Sequence, residues 1–222
     1  MVKQALPPAF RSDPRARRRL FLDIARRRAR PGTGSALPFL EQRMTAQEWP
    51  DLTSILAGIP WAVVGGVATR TYMPERATHD LDILVAEADA EDVHARLRSA
   101  GFTRLQELSI GGTVWRTPEG VLVDIVESCA PWVVEALRQP QADPQGLPVL
   151  SLPHLVLMKV QSGRTQDLAD ASRMLGLASD EQRRATRRVF EQWLPDALED
   201  LESLIALGEL EMGNVRPGTP PR

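Results

Sequence analysis

The apolar run Trp61-Ala62-Val63-Val64 ends on Gly65-Gly66, and Asp80-Leu81-Asp82-Ile83 follows a short way on. That order constrains the chain more than any other stretch. Four apolar residues closed by paired glycines read as a buried strand that turns tightly into a helix over roughly 66–72. Residues 80–85 read as a second strand. Its side chains alternate, so Asp80, Asp82 and Leu84 share one face while Leu81, Ile83 and Val85 share the other.

A third acid stands in a similar setting. Val121-Leu122-Val123-Asp124-Ile125-Val126 is a strand interrupted by one charge, which is costly to bury without compensation. If the two strands are neighbours, three carboxylates converge. Converging like charges repel unless a cation neutralises them. Oxygen-only ligands select Mg²⁺ or Mn²⁺ over zinc. The glycine turn offers backbone N–H groups and a helix N-terminus to a phosphate. Arg70, Arg76 and Thr78 lie within reach of the same loop. Together these residues point to a nucleoside triphosphate held with Mg²⁺, and so to nucleotidyl transfer. Two such ions can bind the α-phosphate, activate the attacking hydroxyl and stabilise the leaving pyrophosphate. Each part has a plainer use: glycines end many strands, aspartates cap turns, and arginines are commonly surface charges.

Composition excludes several other classes. The single cysteine, Cys129, leaves no internal disulfide and no cysteine-rich zinc site, and fits a cytoplasmic setting. His79, His94 and His154 have no metal-ligand spacing. No apolar run is long enough for a transmembrane helix, and no signal peptide is expected. The net charge of −2 hides an asymmetry: residues 1–43 hold eleven Lys/Arg against three Asp/Glu. The arginines cluster in Arg15-Ala16-Arg17-Arg18-Arg19 and Arg26-Arg27-Arg28-Ala29-Arg30. Three readings stay open for this segment. It is an arm gripping RNA phosphates, a solvated helix with Leu20, Phe21 and Ile24 as a thin apolar stripe, or an extension ahead of a start at Met44.

The organisation expected is α/β (α+β): a small mixed sheet flanked by helices, followed by a C-terminal helical bundle. Residues 1–43 form the basic extension, partly disordered; 44–150 the core; 151–208 the helical region; and 209–222 a disordered tail. Within the core, a helix over 45–57 capped by Thr45, a helix over 89–100 closed by Gly101, strands at 102–105, 113–117 and 121–126, and a short helix near 131–138 are expected. Residues 139–148 read as a linker. Trp61 and Trp115 read as core. In the helical region Gly176 reads as a stop, Asp180 as a cap, and Pro195 as the start of a last helix ending near Gly208.

The glycine pair, the Asp-x-Asp and the later strand aspartate resemble the nucleotidyltransferase superfamily with the polymerase-beta-like fold. The form Gly65-Gly66-Val67-Ala68, then Arg76-Ala77-Thr78-His79-Asp80-Leu81-Asp82-Ile83, resembles the abortive-infection type, which includes toxins of type IV toxin–antitoxin pairs. Leu157-Met158-Lys159-Val160, then Arg164-Thr165-Gln166-Asp167-Leu168-Ala169-Asp170, is similar to that family's helical motif, with Gln166 in place of the usual lysine. The resemblance covers roughly residues 55–175. It implies that Asp80 and Asp82 bind the metals, that Asp124 helps activate the acceptor hydroxyl, that Lys159 holds the triphosphate, and that Asp167 lines the cleft. The residues themselves offer Asp167 and Asp170 as neighbours on one helical surface, facing Lys159, Arg164 or a cation, or else a solvated face.

The expectation is a Mg²⁺-dependent enzyme that moves a nucleoside monophosphate from an NTP to an acceptor hydroxyl. The toxin-like resemblance implies tRNA as acceptor and a cognate antitoxin as partner. Alternatives are a small aminoglycoside-like acceptor, a partner protein as acceptor, and a nucleotide-binding protein without turnover.

Overall fold

The computed structural model describes residues 13–28, 49–73, 80–144 and 146–212. They fall into two compact units, one drawn from Met1–Ser35 and Leu152–Arg222 and the other from Ala36–Ser151. Helix α1 (Pro14–Arg28) belongs to the first.

The second unit runs α2 (Leu52–Ile55), β1 (Trp61–Val63), α3 (Gly65–Thr69), β2 (Asp80–Ala86), α4 (Ala90–Ser99), β3 (Thr103–Glu107), β4 (Gly112–Arg116), β5 (Leu122–Ser128), α5 (Pro131–Ala136), β6 (Gln141–Ala142) and β7 (Pro148–Val149). Its seven strands form one mixed sheet in the order β3-β4-β5-β2-β1-β7-β6. The pairs β2–β5 and β1–β7 are parallel and the rest antiparallel. The expected alternation holds: Leu81, Ile83 and Val85 of β2 and Val123 and Ile125 of β5 are fully buried. Trp61 and Trp115 are core as well. Helix α4 carries Glu91 and Asp92 in its first turn and Arg96 and Arg98 in its last, matching its macrodipole.

Some expectations are corrected here. The stretch 139–148 is not a plain linker, because β6 and β7 pair across it and β7 joins the sheet at Val63↔Val149. Two-residue strands are too short to show a period. The helix that opens the unit is described only over Leu52–Ile55, where Asp51 caps the N–H groups of Thr53 and Ser54. Thr45 lies outside the described residues.

The first unit is helical: α1, α6 (Leu152–Ser162), α7 (Thr165–Leu177), α8 (Asp180–Trp193) and α9 (Leu198–Met212), with a 3-10 turn at Pro195–Ala197. Residues 14–28 are helical as one reading of the basic segment has it, but the buried side is Arg18 and Leu22, not the Leu20-Phe21-Ile24 stripe. Arg18 can face inward because its Nε lies 3.1 Å from Asp200 Oδ2, both side chains being almost fully buried. Arg15 pairs with Asp196 and Arg19 with Glu199. Three of the seven arginines of the basic helix are therefore paired with acids of the 3-10 turn and the start of α9.

Ser179, not Asp180, caps α8, in a reciprocal pair with Gln182. Gly176 and Gly208 do not end their helices. They lie where α7 and α9 touch: a Cβ on Gly176 would sit 2.3 Å from the Gly208 carbonyl oxygen. The close approach of the two helices requires glycine there, which a sequence pattern cannot tell from a stop signal.

Candidate active site

Strand β1 ends at Val63, and Val64 continues extended with its N–H donating to the Asp82 carbonyl at 2.9 Å. Gly65 then takes φ +64°, the left-handed region that a side chain disfavours. A Cβ on Gly65 would lie 1.9 Å from Asp82 Oδ2 and 2.5 Å from its Cγ. The first glycine is required twice, by its backbone angle and by the carboxylate pressed against it. Gly66 is buried inside α3, where its carbonyl accepts from Thr69 Oγ1 at 2.6 Å. Helix α3 is one turn, shorter than the helix expected over 66–72, so its dipole is small. Arg70 caps that turn.

The parallel pairing of β2 with β5 sets the three acids. Asp82 is directly opposite Asp124, and Asp80 is opposite Leu122. Registered partners point to the same side, and residues two apart on a strand do too. Asp80, Asp82 and Asp124 therefore share one face of the sheet, the less buried one. Asp80 is exposed, and Asp82 and Asp124 are half-buried. Burial, together with the negative charge of Asp80, pushes the Asp124 carboxyl above the usual carboxylate range.

As they stand, no group of three or more His, Cys, Asp or Glu among the described residues is close enough to hold a metal ion. The donor set nevertheless fits a hard divalent cation. It is all oxygen, it is carried on adjacent strands about 4.8 Å apart, and burial and the Asp80 charge both bear on Asp124. Arg76 and Thr78 lie outside the described residues.

Lys159 and Asp167 are brought together, but in the helical unit. Lys159 Nζ donates to Asp167 Oδ1 and to Asp170 Oδ2, each at 2.9 Å. Asp167 Oδ2 accepts from Ser162 Oγ and Arg164 Nε, both at 2.6 Å, and Gln166 Nε2 donates to Asp170 Oδ1. All three charged groups are buried. Burial alone would raise the Asp167 carboxyl, but the Lys159 charge, the hydrogen bonds from Ser162 and Lys159, and Arg164 hold it below the usual range. Of the two readings of this motif, an ordinary solvated face is ruled out. Gln166, the departure from the family pattern, has a task here as a donor to Asp170.

Sequence reasoning missed one buried polar group. His94 Nε2 lies 2.8 Å from Glu127 Oε1 and 3.0 Å from Thr113 Oγ1, and Trp115 Nε1 donates to Thr113 Oγ1 at 2.8 Å. Glu127 and Thr113 share the sheet face opposite the three acids. No local pattern could have shown this, because helix α4 meets β5 only in three dimensions.

No protein-family model and no curated protein sequence matches the chain. Solved structures similar to it include the antibiotic-resistance factor ANT(2'')-Ia, at 17% identity and TM-score 0.38, covering 70% of this chain and 87% of that one. The same factor in complex with adenylyl-2''-tobramycin matches at 15% and 0.39, covering 70% and 94%. A CCA-adding enzyme with CTP matches at 13% and 0.34, covering 80% of this chain and 53% of that one. These are loose likenesses, and the reading of this chain rests on its own residues.

Proposed function

We propose that the chain is a nucleotidyltransferase, a member of the superfamily its motifs resemble, moving a nucleoside monophosphate from an NTP to an acceptor hydroxyl. The observation that carries this is the common face of Asp80, Asp82 and Asp124 beside a Gly65 turn with no room for a side chain. The Asp80 charge bears on Asp124 across this half-open face, which favours a cation there, and the bare Gly65 leaves room for the Asp82 carboxylate.

In this reading Asp80, Asp82 and Asp124 would hold Mg²⁺ or Mn²⁺, which would supply charge compensation to the triphosphate. Asp124, which faces the same side of the sheet as Asp82 on the neighbouring strand, is assigned to take the proton of the acceptor hydroxyl at its carboxylate oxygen. The hydroxyl oxygen bonds to the α-phosphorus, the bond from that phosphorus to the bridging oxygen breaks, and pyrophosphate leaves. Gly65, Gly66 and Arg70 stand at the turn beside the acids and are assigned to the phosphates, with Arg76 and Thr78 of the following loop. Lys159 and Asp167, which neutralise each other in the helical unit, are assigned a role in holding that unit together.

The arginine-rich α1 favours a tRNA acceptor and a toxin-type role with a cognate antitoxin. The acidic remainder of the chain favours a cationic small molecule such as an aminoglycoside. The test is transfer of label from each of the four α-labelled NTPs, with Mg²⁺, to total tRNA, to aminoglycosides and to cell-extract protein. Label in one acceptor class, lost in Asp82→Ala, supports the reading. No transfer with any NTP or acceptor leaves the binding protein without turnover.

A further inference from the structure

The helical unit carries a feature that the proposed chemistry does not use. Helices α1, α7 and α9 enclose an open apolar groove of ≈ 380 Å³. Its walls are two short ladders, Phe21, Ile24 and Ala25 on α1 and Leu204, Leu207 and Leu210 on α9. Ile24 and Leu210 are 41% and 40% exposed, though each is large and apolar. The α1 ladder spans just over one helical turn, roughly 6 Å, and the α9 ladder somewhat more, roughly 9 Å. Apolar rows of that length between two helices match the i, i+3, i+4 face of a third helix.

Charge on the rim selects the partner. Arg28 lines the groove, and among the described residues neither Arg28 nor its neighbour Arg27 has an ion-pair partner. Glu211 on the opposite wall is already neutralised, its Oε1 accepting from Arg173 Nε at 2.9 Å. Among the described residues that line the groove, Arg28 is therefore the charge left without an ion pair.

We propose that this groove docks an amphipathic helix of another protein, one that presents leucine-like side chains flanked by acidic residues. The site is independent of the nucleotidyl-transfer reading, since none of its residues belongs to the carboxylate face.

The full chain is titrated against a fluorescein-labelled amphipathic peptide with Leu at i, i+3, i+4 and i+7 and Glu on the flanks, and against its counterpart with Lys for every Glu. The acidic peptide is expected to bind about tenfold or more tighter. Ile24→Glu and Leu210→Glu, at exposed positions and with unchanged melting temperature, should each weaken it by about tenfold or more. Arg28→Glu should erase the preference between the two peptides. Equal affinity for both peptides, no binding of either, or insensitivity to Leu210→Glu overturns the proposal. So does RNA binding lost in Arg27→Glu and Arg28→Glu but retained in Leu210→Glu, which would make the arginines an RNA contact. Self-association abolished by Leu210→Glu would make a second copy the occupant. A gain of affinity on deleting residues 213–222 would make the chain's own tail the occupant. Either result also overturns the proposal.

Discussion

The two units hold their aspartates in opposite ways. On the sheet, Asp80, Asp82 and Asp124 share a half-open face, and Asp124 is pushed upward by burial and by its neighbour's charge. In the helices, Asp167 and Asp170 are more deeply buried, yet Asp167 is held below the ordinary carboxylate range. Depth alone would predict the reverse order. What differs is compensation. The helical pair has Lys159, Arg164, Ser162 and Gln166 against it, whereas Asp124 has the charge of Asp80 near it. An acid raised by a neighbouring acid on one unit, and an acid lowered by a buried cation on the other, favour the first as the place where a ligand supplies charge.

Substituting each group in turn sharpens that contrast. Asp82→Ala should lower nucleotidyl transfer by on the order of 10³-fold with little change in melting temperature, because it removes a proposed metal ligand at a half-buried position. Rate assays and thermal scans on the same preparation check both halves. Lys159→Met should do the opposite. It strands Asp167 and Asp170 without a buried cation, and urea unfolding should show a loss of about 3–5 kcal/mol. Adding Asp167→Asn and Asp170→Asn should restore much of it. If Lys159→Met instead kept its stability and lost only activity, the helical group would be a ligand site like the sheet acids.

Gly208→Ala is expected to cost about 1–3 kcal/mol, since its Cβ would meet the Ser172 carbonyl oxygen at 2.0 Å and push α9 from α7. The smallest effect is also the most specific. A carboxyl raised in the folded state binds its proton more tightly there than in the unfolded chain. Asp124 therefore costs stability progressively as pH rises above about 4, and that cost persists at neutral pH. Asp124→Asn should raise stability by a few tenths of a kcal/mol at pH 7, an amount kept small by solvent at a half-buried site, and by nothing at pH 3. Asp167 has the opposite sign. Its contribution is full above about pH 4 and fades as pH falls through its lowered value, so Asp167→Asn should cost stability at pH 7 and little at pH 2. Melting temperatures across pH 2–8 for the two variants give curves of opposite slope.

The carboxylate face was legible because a strand has period two. Asp80 and Asp82 had to share a side, and an acid in the run Val121–Val126 had to lie on a face that the apolar alternation leaves over. The adjacency of β2 and β5 was assumed, and the register Asp82↔Asp124 supplies it. The Lys159 group was half legible, since helical spacing puts Asp167 beside Asp170, but the partner to which they turn depends on how α6 meets α7. The β6–β7 hairpin, the His94–Glu127 contact and the Gly176–Gly208 crossing depend on contacts between distant segments, for which the sequence has no local sign. The arginine clusters misled in part. Composition shows an unneutralised basic arm, whereas Asp196, Glu199 and Asp200, almost the full length of the chain away, take up three of its charges.

The sheet acids are assigned to a cation and the helical acids are not. Electron paramagnetic resonance of Mn²⁺ titrated into the full chain with a nonhydrolysable triphosphate tests it directly. Bound Mn²⁺ is expected in the native chain and in Asp167→Asn, with a loss of at least about tenfold in affinity in Asp82→Asn. Equal Mn²⁺ binding by the native chain and Asp82→Asn, or loss in Asp167→Asn alone, would contradict it.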